Sequence, residues 1–151
     1  MRAWPAIPMP TVRRSALVAR PAAHLFALVN DVATYPRRFS WCVAAEVQSA
    51  SETEVQARLD LRIAGFETWF STHNRLFPPE RIEMRLASGP FRRLEGTWHF
   101  HALDEAACKV ELVLDFEPAS RLLAPALAMG MQGLADRMVD DFVRVARTEA
   151  A

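Results

Sequence analysis

The sequence predicts an α+β fold: a curved antiparallel sheet of about seven strands wrapped around a long C-terminal helix, with two short helices after the first strand. Three patterns predict it. Between Thr53 and Phe116, apolar and polar residues alternate with period two in segments separated by short turns. From Leu123 to Val145 the apolar residues recur at steps of three and four instead. Ahead of both, a β-rich segment stops at Pro21 and an apolar run with helical spacing follows.

Each element can be argued in order. Thr11–Ala19 is β-rich, and Pro21 suits the first turn of a helix. Leu25, Phe26, Leu28 and Val29 give that helix an apolar face, and Asn30, Asp31 and Pro36 break it. "VATYPRRF" reads as a second short helical turn. Six strands are expected after it. Val55, Ala57, Leu59, Leu61 and Ile63 oppose Glu54, Gln56, Arg58, Asp60 and Arg62, so this strand has one wet and one dry face. Past Ala64-Gly65, Phe66, Thr68, Phe70 and Thr72 oppose Glu67, Trp69, Ser71 and His73. Ile82, Met84 and Leu86 follow the Pro78-Pro79 turn. Leu94, Gly96, Trp98 and Phe100 share a face after Ser88-Gly89-Pro90, and Cys108, Val110, Leu112, Leu114 and Phe116 share one after Asp104-Glu105. Sequential strands on short turns make an antiparallel meander.

The dry face needs a cover. Leu123, Leu127, Met131, Leu134, Met138, Phe142 and Val145 provide it, with Ser120 as the expected N-cap and Pro125 implying a bend or a later start. A helix of about 25 residues is ~37 Å long, and a ten-residue strand spans ~33 Å, so one helix can cross the sheet. A curved sheet does not pack flush on a straight helix, so an apolar cavity is expected between them.

At 151 residues the chain suits one domain, taken as residues 11–148, after a loose tail over residues 1–10. "MRAWPAIPMP" has three prolines and no apolar h-region, so it does not read as a signal peptide. Met9 stands where the ordered domain begins and is an alternative start, testable by intact mass. No apolar run is long enough to span a bilayer, so a cytoplasmic protein is expected, able to work at the periphery of the inner membrane. Cys42 and Cys108 form no C-x-x-C pattern and read as two buried thiols.

The formal net charge is zero, which argues against a general nucleic-acid binder and leaves no role for DNA. Three arginine pairs, Arg13-Arg14, Arg37-Arg38 and Arg92-Arg93, read as strand-edge and turn charge unless they converge on one surface. No catalytic residue or metal site is indicated. His99 and His101 share the polar face with Glu95 and Thr97 and lack a third ligand by spacing. His73, beside Glu67 and Trp69, reads as a surface residue. Gly-rich phosphate loops and G-x-S-x-G are absent from the sequence.

One stretch stands apart. "LVNDVATYPRRFSWC" (28–42) concentrates Tyr35, Phe39 and Trp41 at an early corner without any obvious nucleophile. The corner is expected to help enclose an apolar ligand. The predicted ligand-binding residues are Phe26, Tyr35, Phe39 and Trp41 from the N-terminal part, and Leu59, Phe70, Met84, Trp98, Phe100 and Leu112 from the sheet. Leu127, Met131, Leu134 and Met138 complete the set from the long helix, where methionine suits an irregular guest. Gly130 and Gly133 let a ligand or a neighbouring strand approach that helix.

"RSALVARPAAHLFALVNDVATYPRRFSWC", "SGPFRRLEGTWHFHAL" and "ACKVELVLDFE", followed by the long helix, resemble the coenzyme Q-binding Coq10 / RatA family, a branch of the START-like, helix-grip superfamily. The resemblance covers roughly residues 11–146 and rests on combined motifs: Asn30-Asp31-Val32, Tyr35-Pro36, Trp41-Cys42, Gly89-Pro90-Phe91, Trp98-x-Phe100 and Leu114-Asp115-Phe116-Glu117. Ser40 departs from it where members often carry a proline. Pro118 departs where an aromatic or aliphatic residue is common, which implies that the last strand ends a residue early.

The resemblance implies a non-enzymatic protein that needs no cofactor and takes one of two roles. The first is binding of ubiquinone or a similar apolar lipid, as a carrier or chaperone supporting respiration. The quinone ring would sit near the aromatic corner and the tail along the long helix. Burying ~400 Å² of tail is worth on the order of 10 kcal/mol gross, before association costs. The second role is that of a bacterial ribosome-association toxin, which binds the large ribosomal subunit and blocks subunit joining, with Arg13, Arg14, Arg37, Arg38, Arg92 and Arg93 as its contacts. A cyclase or hydrolase of the same superfamily would need polar groups inside the cavity, and the dry face offers almost none. The first role is the preferred expectation.

Overall fold

The computed structural model describes residues 11–149, apart from Ala64 and Leu123. The tail and the alternative start at Met9 lie outside the described residues. β1 (Thr11–Val18) leads through Pro21 into α1 (Ala22–Asn30). A 3-10 turn (Val32–Thr34) and the four-residue α2 (Tyr35–Arg38) follow. Then come β2 (Cys42–Ala50), β3 (Glu54–Ile63), β4 (Phe66–Phe77), β5 (Arg81–Ser88), β6 (Phe91–Asp104) and β7 (Ala107–Pro118). α3 (Ala124–Thr148) closes the chain.

The seven strands form one sheet in the order β1-β7-β6-β5-β4-β3-β2, with every pairing antiparallel. Consecutive strands from β2 to β7 are neighbours, as short turns dictate. β1 closes the far edge on β7, from Thr11 opposite Asp115 to Val18 opposite Cys108. β7 alternates strictly, with Cys108, Val110, Leu112, Leu114 and Phe116 buried. β2 does not alternate. Beyond Cys42 it is almost wholly exposed, because it is an edge strand with little of the helix over it. This is why no period marks it in the sequence.

α3 starts later than a Ser120 cap would place it. Ala124 is its first residue, so Pro125 falls in the first turn, where its missing N–H matters least and no bend is required. β7 does not end early either, since Pro118 still stands opposite Phe91 at the end of the ladder, where proline is tolerated. α3 lays Met131, Leu134, Ala135, Met138, Val139, Phe142 and Ala146 on the sheet. Gly65, with φ +81°, turns the chain from β3 to β4. At Gly130 a Cβ would come within 2.4 Å of the Phe66 ring, so this glycine lets the β3–β4 hairpin rest on the helix. Gly133 faces open space.

Candidate functional site: an apolar cavity and a wet sheet face

A cavity lies where the middle of α3 spans the curved sheet. Its walls are Ala57 and Leu59 of β3, Phe70, Thr72 and Asn74 of β4, Ile82 and Met84 of β5, and Leu94, Gly96 and Trp98 of β6. Leu112 and Leu114 of β7, Leu134 and Met138 of α3, and Val29, Asn30, Val32 and Tyr35 complete it. Its volume is about 50 Å³. That is room for a few waters, whereas drug-sized ligands occupy pockets of roughly 300–1,000 Å³. The expectation that a quinone and its tail fit between sheet and helix is therefore not met by this conformation.

The structure brings Tyr35, Leu59, Phe70, Met84, Trp98, Leu112, Leu134 and Met138 to this cavity. It places Phe26, Phe39, Trp41, Phe100, Leu127 and Met131 elsewhere. Phe26 meets Phe100 edge to face at 5.7 Å, joining α1 to β6 behind the wall. Met131 is fully buried and Leu127 half-buried, both outside the cavity wall. Phe39 stacks on Trp41 at 4.8 Å, and Tyr35, Phe39, Trp41 and Trp98 all surround Phe142 of α3 at centroid distances of 4.8–6.0 Å. Trp41 Nε1 donates to Asp141 Oδ2 at 3.0 Å. The aromatic corner thus clamps the second half of α3, and only Tyr35 reaches the cavity.

Polar groups enter the cavity that face periodicity undervalued. Thr72 and Asn74 are both buried, and the Thr72 hydroxyl donates to Asn74 Oδ1 at 2.8 Å. Their signal was present in the sequence, since both continue the face of Phe66, Thr68 and Phe70. The Tyr35 hydroxyl donates to the Val29 carbonyl. Burial pushes its pKa far up, helped by the nearby charges of Cys42 and Asp31.

No activated nucleophile accompanies these groups. Cys42 and Cys108 are buried free thiols. Burial, then the charge of Asp60, pushes Cys42 up to about 11, and burial raises Cys108 as well. His99 and His101 stack at 5.2 Å, and burial followed by the His101 charge lowers His99. Among the described residues, no group of three His, Cys, Asp or Glu side chains is placed to hold a metal. None of the described helices is long and apolar enough to cross a membrane.

The three arginine pairs do not converge, which corrects the expectation of a shared contact surface. Arg92 pairs with Glu117 at the end of β7, before α3 begins. Arg38 pairs with Glu149, beyond the far end of α3. A helix of 25 residues, ~37 Å long, separates them. Arg14 is bound to Asp136 and Asp140 of α3, and Arg93 to Glu95. Arg13 and Arg37 have no ion pair among the described residues.

A seven-stranded antiparallel sheet gripping a C-terminal helix, with two short helices after its first strand, is the START/Bet v1-like helix-grip architecture. The chain belongs to the polyketide cyclase / dehydrase and lipid transport family, whose model matches residues 18–143, in the branch that includes the RatA proteins. It is 44% identical over 139 residues to the ribosome association toxin RatA of Vibrio cholerae serotype O1, covering 92% of this chain and 96% of that protein. It is 42% identical over 136 residues to the ribosome association toxin RatA of Pseudomonas aeruginosa, covering 90% and 94%. Among solved structures, TTHA0849 from Thermus thermophilus superposes with a TM-score of 0.83 at 19% identity, covering 94% of this chain and all of that one.

Proposed function

We propose that this protein associates with the ribosome as a RatA-like toxin, without enzymatic activity, by binding the large subunit and blocking subunit joining. The observation that carries this reading is the 44% identity to a ribosome association toxin along almost the whole length of both chains. The acting unit is the single domain of residues 11–148. A cavity of about 50 Å³, lined mainly by apolar side chains with one neutral hydrogen-bonded pair, supports a binding role over chemistry. The test is a sucrose-gradient profile of bacterial ribosomes with added purified protein. The expected result is loss of 70S particles, accumulation of free subunits and comigration of the protein with the large one. An unchanged profile at saturating protein overturns the reading.

A second reading, favoured by the apolar walls of the cavity, is binding of ubiquinone or a similar lipid after the cavity expands. It is compatible with a cytoplasmic protein that visits the inner membrane. Organic extraction of detergent-free protein followed by mass spectrometry tests it. Near-stoichiometric quinone supports it, and a blank after incubation with quinone-loaded vesicles removes it.

A further inference from the structure

The wet face of the sheet carries a feature that neither the cavity nor the arginine pairs explain. On β4 the solvent-facing residues include two aromatic rings, Trp69 and Phe77, on one strand. Eight residues at ~3.3 Å each put them about 26 Å apart. Each ring is half-buried and lies under a guanidinium. Arg58 of β3 sits 4.2 Å from the Trp69 centroid, Arg81 of β5 sits 3.8 Å from that of Phe77, and Arg75 lies 5.5 Å from the same ring.

Between the rings the local charges are unevenly paired. Asp60 is held by Arg58 at 3.0 Å, Glu83 by Arg81 at 3.0 Å, Glu67 by Arg62 at 3.1 Å and Glu54 lies 3.4 Å from His73. Arg75 and Arg85 are exposed and have no ion pair among the described residues. They flank a concave groove of about 370 Å³, together with His73 and with Glu83, whose carboxylate Arg81 holds. The opposite wall holds Glu95, bound to Arg93 at 3.2 Å, and Asp115, which accepts from the Thr11 hydroxyl. Arg75 and Arg85 are the groove's two cations without an ion pair among the described residues, while Asp115, bound by a neutral hydroxyl, keeps its negative charge on the facing wall.

We propose that this stripe along β4, from Trp69 to Phe77, docks a single-stranded segment of ribosomal RNA. The proposal rests on the ribosome reading above. Bases stack on aromatic and guanidinium planes, and exposed arginines take the phosphates between them. Two stacking stations with two free cations between them have the chemistry of an unpaired strand. This also reconciles ribosome binding with zero net charge, because the positive charge is needed in one place only. An apolar protein partner fits less well, since among the described residues no large aliphatic side chain is exposed on β3, β4 or β5.

The experiment uses the full chain with isolated large subunits, with protein-stripped large-subunit RNA, and with short mixed-sequence single-stranded RNA oligonucleotides. Sedimentation reads the first two and fluorescence anisotropy the third. Trp69→Ala is expected to weaken oligonucleotide binding about tenfold. Arg75→Ala with Arg85→Ala is expected to lower the slope of log affinity against log salt by about 1.4. Both variants are expected to lose large-subunit association, while Arg147→Glu, in the last turn of α3 on the other face of the sheet, keeps it. Circular dichroism melting establishes that each variant folds. Folded variants that keep wild-type affinity and salt slope overturn the surface but leave the ribosome reading standing. Wild-type protein that ignores ribosomes yet binds oligonucleotides through Trp69 overturns the ribosome reading instead. Variants that lose subunit binding, with no binding of stripped RNA by wild type, assign the face to a ribosomal protein and overturn the RNA proposal.

Discussion

The indole N–H of Trp41 and the carboxylate of Asp141 meet at 3.0 Å across a hundred positions of sequence. This bond ties the loop after α2 to the buried side of α3. Asp141 is 9% exposed and also receives Arg137 and Arg144 from its own helix. Trp41→Phe keeps most of the ring and removes the donor. We expect a loss of about 1–3 kcal/mol in urea unfolding, the cost of leaving a buried acceptor short of a partner.

Phe142 is the hub of the aromatic corner and is fully buried. Phe142→Ala is expected to cost about 3–5 kcal/mol. For a chain of this size that lowers Tm by about 6–20 °C. Leu122→Ala, at an 89% exposed position, serves as the comparison and should melt within about one degree of wild type.

The two helical glycines predict opposite outcomes. Gly133 faces open space, so Gly133→Ala should stabilise by up to about 1 kcal/mol through helix propensity. Gly130→Ala brings a methyl group against the Phe66 ring and must displace the β3–β4 hairpin. It should gain less or lose stability. Equal gains in paired unfolding curves would show that the hairpin yields freely.

Stability is expected to fall on the alkaline side. Cys42 has its pKa raised to about 11 in the folded protein, and that of Tyr35 is raised further by burial. The unfolded chain therefore releases these protons first, from about pH 9 for thiol and about pH 10 for phenol. Over that window the native state binds more protons, so unfolding free energy drops as pH rises. The contribution is complete below the unfolded pKa values and lost toward the folded ones. Denaturant titrations from pH 7 to 10.5 should show the decline, and Tyr35→Phe should flatten its upper part. Alkylation of native Cys42 at pH 8 should be slow for the same reason, because little thiolate is present.

The sequence by itself determined the fold. Strict period-two alternation in β3 and β7 can bury only one face, and a helical stripe of Leu, Met and Phe at steps of three and four supplies the one cover available. It counted a sixth strand after the short helices but gave β2 no residues, because that strand has no dry face to record. It marked Phe39 and Trp41 as apolar surface to be enclosed, but not what they bury against. Tertiary structure decided that, because sheet curvature sets where the helix lifts away from the strands. The cavity opens at Leu134 and Met138, and the sheet closes on Phe142 a single turn later. Thr72 and Asn74 enter the cavity, and the three arginine pairs part, for one physical reason. Local periodicity encodes the face of an element, while position along a curved interface depends on contacts between residues far apart in the chain.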